Sequence, residues 1–494
     1  MRPLIQEIAT AHSPESLVEQ VRGEPGVVLL RSALFDSPHA RYSFVAARPF
    51  LTLRAFGSRC EIISANDRHA LFGNPWQILD GLIARFELLD ELDMPFPLGG
   101  CFGYWGYELK NFVEPKLPRR AVNDLELPDC HVGFYDGLVV FDHRLAKVWI
   151  VSTGLAADGS RSESHAQVQL ESWRAKLQAT PTQSNLTSRL SDSDRARTGR
   201  GDPHSLSANL SREHFIRLVE RAQQYIRAGD IYQVNLSHRL TALGEFSGWE
   251  FFQRLASVSP APFAAFLDCG EFQITSSSPE LFLRLSGAHI ETRPIKGTRP
   301  RDPDPTRDAQ LTYELQTSPK EMAELVMITD LLRNDLGKVC EYGSVQVPEL
   351  VRLERYPQVQ HLVSTVEGRL RSGVTHFAAL ASCFPGGSIT GAPKIRAMEI
   401  IDELEPVTRG PYTGCLGYLG FNRESQLNIA IRTAVCQPGV IHFHVGAGIV
   451  ADSLPAAEYD ETLAKAGGFL SALDLQNPAG RQLAGQSGAR STSQ

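Results

Sequence analysis

The chain has 494 residues, of which 42% are hydrophobic and 21% charged, and a formal net charge of −7. That length allows roughly two to four average domains, or one large two-layer body. Acidic and basic residues are interspersed, which leaves no basic footprint for nucleic acid and no polybasic segment for a membrane surface. No apolar run is long enough to cross a bilayer, and the N-terminus (MRPLIQE) lacks the apolar core of a secretion signal. The eight cysteines are scattered without a C-x-x-C pair, as expected of reduced thiols rather than a zinc ribbon. A cytoplasmic protein, and at this size an enzyme, is expected.

In chain order, residues 26–30 (GVVLL), 137–141 (GLVVF) and 147–151 (KVWIV) read as strands, so residues 1–177 form a strand-rich N-terminal region. Residues 178–210 are rich in Ser, Thr, Asp, Arg and Gly and read as a flexible linker. A second region follows over 211–475. Its first element is a helix over 211–228, capped by Ser211. Residues 294–300 place Lys296 between Pro294 and Pro300, in a stiff turn. Ser318, Pro319 and Glu321 then open a helix as cap, first-turn proline and capping-box partner, with Met322, Leu325, Val326 and Thr329 as its apolar stripe. A glycine-rich loop at 386–394 enters a helix over 394–404. Residues 427–435 alternate as a strand covered on one face, and 439–450 read as a strand pair. Pro455 starts a last helix, and the Gly/Ser/Gln/Arg-rich stretch 476–494 reads as a disordered tail. Clustered strands with few strand–helix–strand units predict an α+β fold with large antiparallel sheets.

Four features carry chemistry. Lys296 is a nucleophile if held neutral; beside Arg293, Arg299 and Arg301 it also reads as part of a basic loop. Glu321 and Glu324 share one helix face, as do Glu458 and Glu461, and four carboxylates brought together would need a hard cation, Mg²⁺ first. The same pairs also read as solvated faces, since Lys320–Glu324 and Glu461–Lys465 have i,i+4 spacing. The amides of the 386–394 loop and of Gly446 and Gly448 suit an anionic ligand or simply a tight connection. Arg432, among Ile429, Ala430, Ile431 and Thr433, needs an anion from the protein or from a substrate.

These pieces, in this order, make the chain resemble the chorismate-utilising enzymes. The resemblance covers roughly 211–475 and rests on DIYQVNLS at 230–237, SSPE at 277–280, PIKGT at 294–298, EMAE at 321–324, DLLRNDLGKV at 330–339, QHLVS at 360–364, GGSITGAPK at 386–394, IRT at 431–433, GAGIV at 446–450 and EYDETLAKA at 458–466. LLRS at 29–32 also looks like the family's first strand. The resemblance implies antiparallel sheets packed as a sandwich with helices outside. It implies Mg²⁺ held by Glu324 and Glu461, with Glu321 and Glu458 holding its waters, against the ring carboxylate of chorismate. Arg432, Tyr412, Gly446 and Gly448 would grip the enolpyruvyl carboxylate. Gly297, Thr298, His361 and Ser388 would line the ring, and Glu280 would protonate the departing C4 hydroxyl.

Two positions separate the family's branches. Gln233 stands where the water-using members carry a lysine base. Lys296 stands where the anthranilate-forming members carry alanine, and matches the branch that aminates C4 on the way to 4-aminobenzoate and folate. Relatives hold tryptophan near the stretch matching Leu30 to Ser32, which makes Ser32 a candidate contact. The nitrogen source implied is a separate glutamine amidotransferase subunit. The G-x-C-x-G at 99–103 resembles a glutaminase elbow, but its run into YWGYE matches the synthase family itself, and no His-x-Glu is free to partner it.

Overall fold

The computed structural model describes residues 2–32, 38–88, 93–181, 205–356 and 359–475. Among them, two twelve-stranded sheets form the frame. The first runs from the edge strand Leu4–Ile8 through Lys147–Ser152, Gly137–Asp142, Tyr42–Ala46, Val28–Arg31, Phe263–Asp268, Gln273–Ser278, Thr433–Gln437, Val440–Ile449 and Gln233–Leu243 to Ser205–Ala208. The second runs from Ile295–Pro300 through Val359–Arg369, His289–Arg293, Leu281–Ser286, Glu424–Ile429, Cys415–Gly420, Gly100–Trp105, Cys130–Tyr135, Leu51–Phe56 and Arg59–Ser64 to Arg68–Phe72. Neighbouring strands in these paths pair antiparallel, as an α+β reading requires.

Both sheets draw strands from either side of the expected linker. Helix Glu163–Gln178 ends at the start of that linker. Ser205–Ala208, inside it, is not linker but a strand paired with Gln233–Leu243. The rest of the linker, 182–204, and the tail at 476–494 lie outside the described residues.

Strand periodicity explains the layers. Val28 and Leu30 point into the core between the sheets, while Leu29 points to the helices outside. Phe44, Val140 and Leu267 from one sheet meet Leu53, Phe102, Phe134 and Leu283 from the other in a single core. Each such side chain contributes about 1.5–3 kcal/mol on burial. The edge-on contact of Phe44 with Tyr418 (centroids 5.1 Å apart) bridges the two layers.

On the first sheet, Ile441, Phe443, Val445, Ala447 and Ile449 pack outward, with Val234, Leu236, Leu240 and Ala242 of the neighbouring strand. They are covered by helices Arg212–Arg227, Gly248–Val258, Lys394–Leu404 and Pro455–Ala472. The residues between them, His444, Gly446 and Gly448 on one strand and Asn235 on the other, therefore face the opposite side, where a cavity opens.

The chain crosses between sheets twice beside this cavity. It leaves the first sheet at Ser278 and enters the second at Leu281, with Pro279 and Glu280 in the crossing. It returns from Ile429 to Thr433, with Ala430, Ile431 and Arg432 in the crossing. Residues 427–435 are thus two strands in different sheets, not one. Residues 440–449 form one continuous strand rather than a pair.

Candidate active site

The cavity has a volume of about 640 Å³ and lies between these crossings, the strand Ile295–Pro300 and helices Pro319–Gly337 and Pro455–Ala472. Of the site residues expected from sequence, Lys296, Glu280, Gly297, Thr298, His361, Ser388, Tyr412, Arg432, Gly446, Gly448, Glu321, Glu324 and Glu461 all line it. Glu458 and Ser32 do not.

Lys296 lies on a strand, not in a turn. The pairing with Val359–Arg369 slips between Lys296 and Thr298, a bulge centred on Gly297 at φ +68°. A β-carbon on Gly297 would sit 2.7 Å from Leu315 Cδ1, a side-chain end that must shift to make room, while the positive φ itself calls for glycine. Lys296 Nζ donates to the Ser388 carbonyl over 3.3 Å. Thr298 Oγ1 and His361 Nδ1 are hydrogen-bonded at 2.8 Å. Burial and the charge of Arg432 bring His361 down to about 4, so its ring is neutral at ordinary pH.

Glu280 is buried, and desolvation pushes its carboxyl up to about 7 against the Ser388 hydroxyl, the Lys296 charge and the Ile295 amide. A carboxyl that still carries its proton near neutrality suits a general acid. Lys296 and Glu280 thus meet at Ser388, the amine at its carbonyl and the acid at its side chain.

Arg432 has φ +49° and is held at the crossing rather than in a strand. Burial lowers its pKa, and among the described residues no carboxylate offsets that. A buried guanidinium facing a cavity has the chemistry to pair with an anion that enters it. Beside it, the Tyr412 ring stacks on His444 (5.2 Å, 16°). Burial pushes the Tyr412 hydroxyl up to about 12, which keeps it a neutral donor. A β-carbon on Gly446 would lie 2.9 Å from that hydroxyl, and one on Gly448 would lie 2.6 Å from Gln233 Nε2. Glycine at both positions lets the strand backbone come close to those polar groups.

The acidic helices begin as expected at Ser318–Pro319 and at Pro455. The capping box is not closed: Ser318 accepts from the Glu321 N–H, but the Glu321 carboxylate turns to Arg299 (3.3 Å). Val326 is exposed, and the buried stripe continues through Ile328 and Leu332 instead. Burial and the like charges of Glu321 and Glu461 raise Glu324. Burial raises Glu461 too, but its 2.7 Å pair with Lys465 and the charges of Lys320 and Lys296 outweigh it. Glu458 is buried beside Ser453, which explains its absence from the cavity wall. As placed, the described residues bring no three acidic, His or Cys side chains close enough to enclose a metal ion. The donor set is nonetheless all carboxylate oxygen, with Glu324 raised chiefly by burial, and such a set suits a hard divalent cation.

At the end of the 386–394 loop, the lysine side chain is committed to the fold. Lys394 points inward, ion-paired with Asp335 and donating to the carbonyls of Cys383 (3.1 Å) and Pro385 (2.9 Å). Cys101 lies fully buried in the strand Gly100–Trp105, and burial pushes its thiol up to about 12, the opposite of a glutaminase nucleophile. Ser32 lines a separate crevice with His39, Tyr42 and Asn428. Residues 33–37 beside it lie outside the described residues.

Asn235, Arg299, Lys320, His444 and Lys465 also line the cavity without having been assigned a role from sequence. For Asn235 and His444 a signal existed: each sits between outward-packed apolar residues on its strand, so period two alone turns it inward.

Residues 31–471 match the family described as chorismate binding enzyme. The chain is 40% identical over 453 residues to aminodeoxychorismate synthase component 1 of Klebsiella aerogenes, covering 91% of this chain and 94% of that one. It is 37% identical over 476 residues to anthranilate synthase component 1 of Acetivibrio thermocellus, covering 96% and 95%. The crystal structure of anthranilate synthase component I from Streptococcus pneumoniae superposes with a TM-score of 0.74 at 29% identity, over 88% of this chain and 93% of that one.

Proposed function

Because this chain belongs to the chorismate-binding enzymes, we propose that it is the aminodeoxychorismate synthase component I type, converting chorismate and ammonia to 4-amino-4-deoxychorismate in the route to 4-aminobenzoate and folate. The observation that carries this reading is the placement of Lys296 and Glu280 on one cavity wall, an amine beside a carboxyl that burial pushes up to about 7. In the proposed reaction, Arg432 and Tyr412 hold the enolpyruvyl carboxylate, assisted by the backbone at Gly446 and Gly448. The Lys296 amine, having given up a proton, adds to ring C2 while Glu280 gives its proton to the C4 hydroxyl, which leaves as water as the two ring double bonds shift. Ammonia then adds at C4 and gives up a proton to the Glu280 carboxylate, the double bonds shift back, and Lys296 leaves C2. A covalent amine splits one hard substitution into two easier ones and blocks nitrogen from C2.

Glu324 and Glu461, with Glu321 and Glu458 behind them, would hold Mg²⁺, which when bound supplies positive charge against the ring carboxylate. A glutamine amidotransferase subunit would supply the ammonia. This assignment is favoured because Cys101, the one glutaminase-like cysteine, is sealed in a strand.

The second reading is anthranilate synthase component I, which relatives of comparable identity support. The test is product identification from chorismate, ammonium and Mg²⁺. A non-fluorescent aminated product that keeps its enolpyruvyl group supports the proposal. Fluorescent anthranilate with stoichiometric pyruvate sinks it in favour of the second reading.

A further inference from the structure

Arg409 lies outside the cavity wall, in the loop before the strand Cys415–Gly420, and is 3% exposed. A buried guanidinium is tolerated only when its charge and its five N–H donors are all met. Here they are. Nε and Nη2 donate to the Glu405 carboxylate over 2.8 and 2.6 Å. Nη2 also donates to the Asn235 carbonyl over 2.7 Å. Nη1 donates to the Ile389 carbonyl over 3.3 Å and to Thr413 Oγ1 over 3.1 Å.

These partners are the backs of three separate pieces of the cavity wall. Asn235 lies on the strand facing Gly448. Ile389 follows Ser388, where the amine and the acid meet. Thr413 follows Tyr412 and donates to its carbonyl over 2.6 Å. The network is anchored from behind as well. Glu405 accepts from the Ser237 amide and hydroxyl (2.8 and 3.0 Å), and Glu108 accepts from the amides of Arg409 and Gly410 (3.0 and 2.9 Å). The guanidinium also lies 4.7 Å from the centroid of the Tyr107 ring and 5.8 Å from that of Tyr412.

We infer that Arg409 is a positioning residue: one planar guanidinium sets Asn235, the Ser388–Ile389 turn and Tyr412 relative to one another. A lysine cannot replace it, because an ammonium has three donors radiating from one point instead of five in a plane. The inference rests on the chorismate reading of the cavity.

The test compares wild type, Arg409→Lys and Arg409→Ala for turnover of chorismate with ammonium, alongside thermal unfolding. Arg409→Lys is expected to stay folded while kcat/KM falls about 100-fold, the scale of a 1 Å misplacement, with both KM and kcat affected. Activity of folded Arg409→Ala is expected to recover saturably with added methylguanidinium and not with methylammonium. Wild-type kcat and KM in Arg409→Lys overturn the inference, whether or not the alanine variant folds. So does a fall in activity that tracks thermal stability alone, with no guanidinium-specific recovery. If wild type itself does not turn over chorismate, the proposed function fails instead, and Arg409 is then judged by chorismate binding to wild type and Arg409→Lys in calorimetry, where equal affinities overturn it.

Discussion

Glu280 and Arg432 are tied together through the backbone of adjoining crossings. The Ile429 N–H donates to the Glu280 carbonyl over 3.1 Å, and the Ser277 N–H donates to the Arg432 carbonyl over 3.0 Å. Ser278 Oγ adds a 2.6 Å bond to the Ile429 carbonyl. Glu280 and Arg432 are therefore fixed to each other by main chain, while Lys296 approaches from a different strand.

The protonation of Glu280 predicts a pH profile. Its carboxyl is pushed up to about 7 by burial, so the acid form dominates below that pH and is lost above it. kcat/KM for chorismate, corrected for the fraction of free ammonia, is expected to fall as pH rises through about 7. A profile flat from pH 6 to 8.5 refutes the assignment. Stability carries the same sign. A carboxyl that holds its proton more tightly when folded stabilises the fold most below its unfolded value of 4.5 and loses that contribution as pH rises through about 7. Glu280→Gln should therefore gain in melting temperature over wild type at pH 8 and not at pH 4.5.

Among the described residues Arg432 has no carboxylate partner to lose. Arg432→Ala should raise the KM for chorismate about 10- to 100-fold, the worth of a charge-assisted pair, without lowering the melting temperature. A large loss of stability with KM unchanged would mean that the guanidinium serves the fold.

Lys296→Ala should abolish C4 amination and leak toward C2 amination, read as anthranilate and pyruvate by chromatography. Aminodeoxychorismate formed at the wild-type rate rules out the covalent amine.

Gly297→Ala tests the bulge. Positive φ and the 2.7 Å approach to Leu315 together should cost about 1–3 kcal/mol of stability, and kcat should fall more than KM rises because Lys296 and Thr298 both shift. Unchanged kcat would show that the strand register does not aim the amine.

Glu324→Gln and Glu461→Gln should each raise the Mg²⁺ concentration needed for half-maximal activity by about tenfold. Identical Mg²⁺ titrations in both variants and wild type remove these carboxylates from the metal's reach.

Much of this site was legible because its motifs fix type and order: thirteen of the fifteen expected residues line one cavity. The errors have physical causes. Lys296 between two prolines reads as a turn because local sequence does not reveal a partner strand, and the pairing with Val359–Arg369 is what makes it extended. The alternation over 427–435 is real on both sides of the break, but only three-dimensional closure shows the chain changing sheets at Arg432. Arg409 carries no motif chemistry of its own, and its role exists only through carbonyls that the fold brings to it.

The interleaving of strands has a cost during synthesis. Val28–Arg31 waits for Phe263–Asp268, with Arg31 opposite Ala264, and Gly100–Trp105 waits for Cys415–Gly420. An N-terminal half newly released from the ribosome presents open, apolar strand edges whose partners have not yet been made. Such non-local pairing folds slowly and invites aggregation, so the yield of active protein should depend on chaperone capacity and growth temperature more than its finished, two-layered body would suggest.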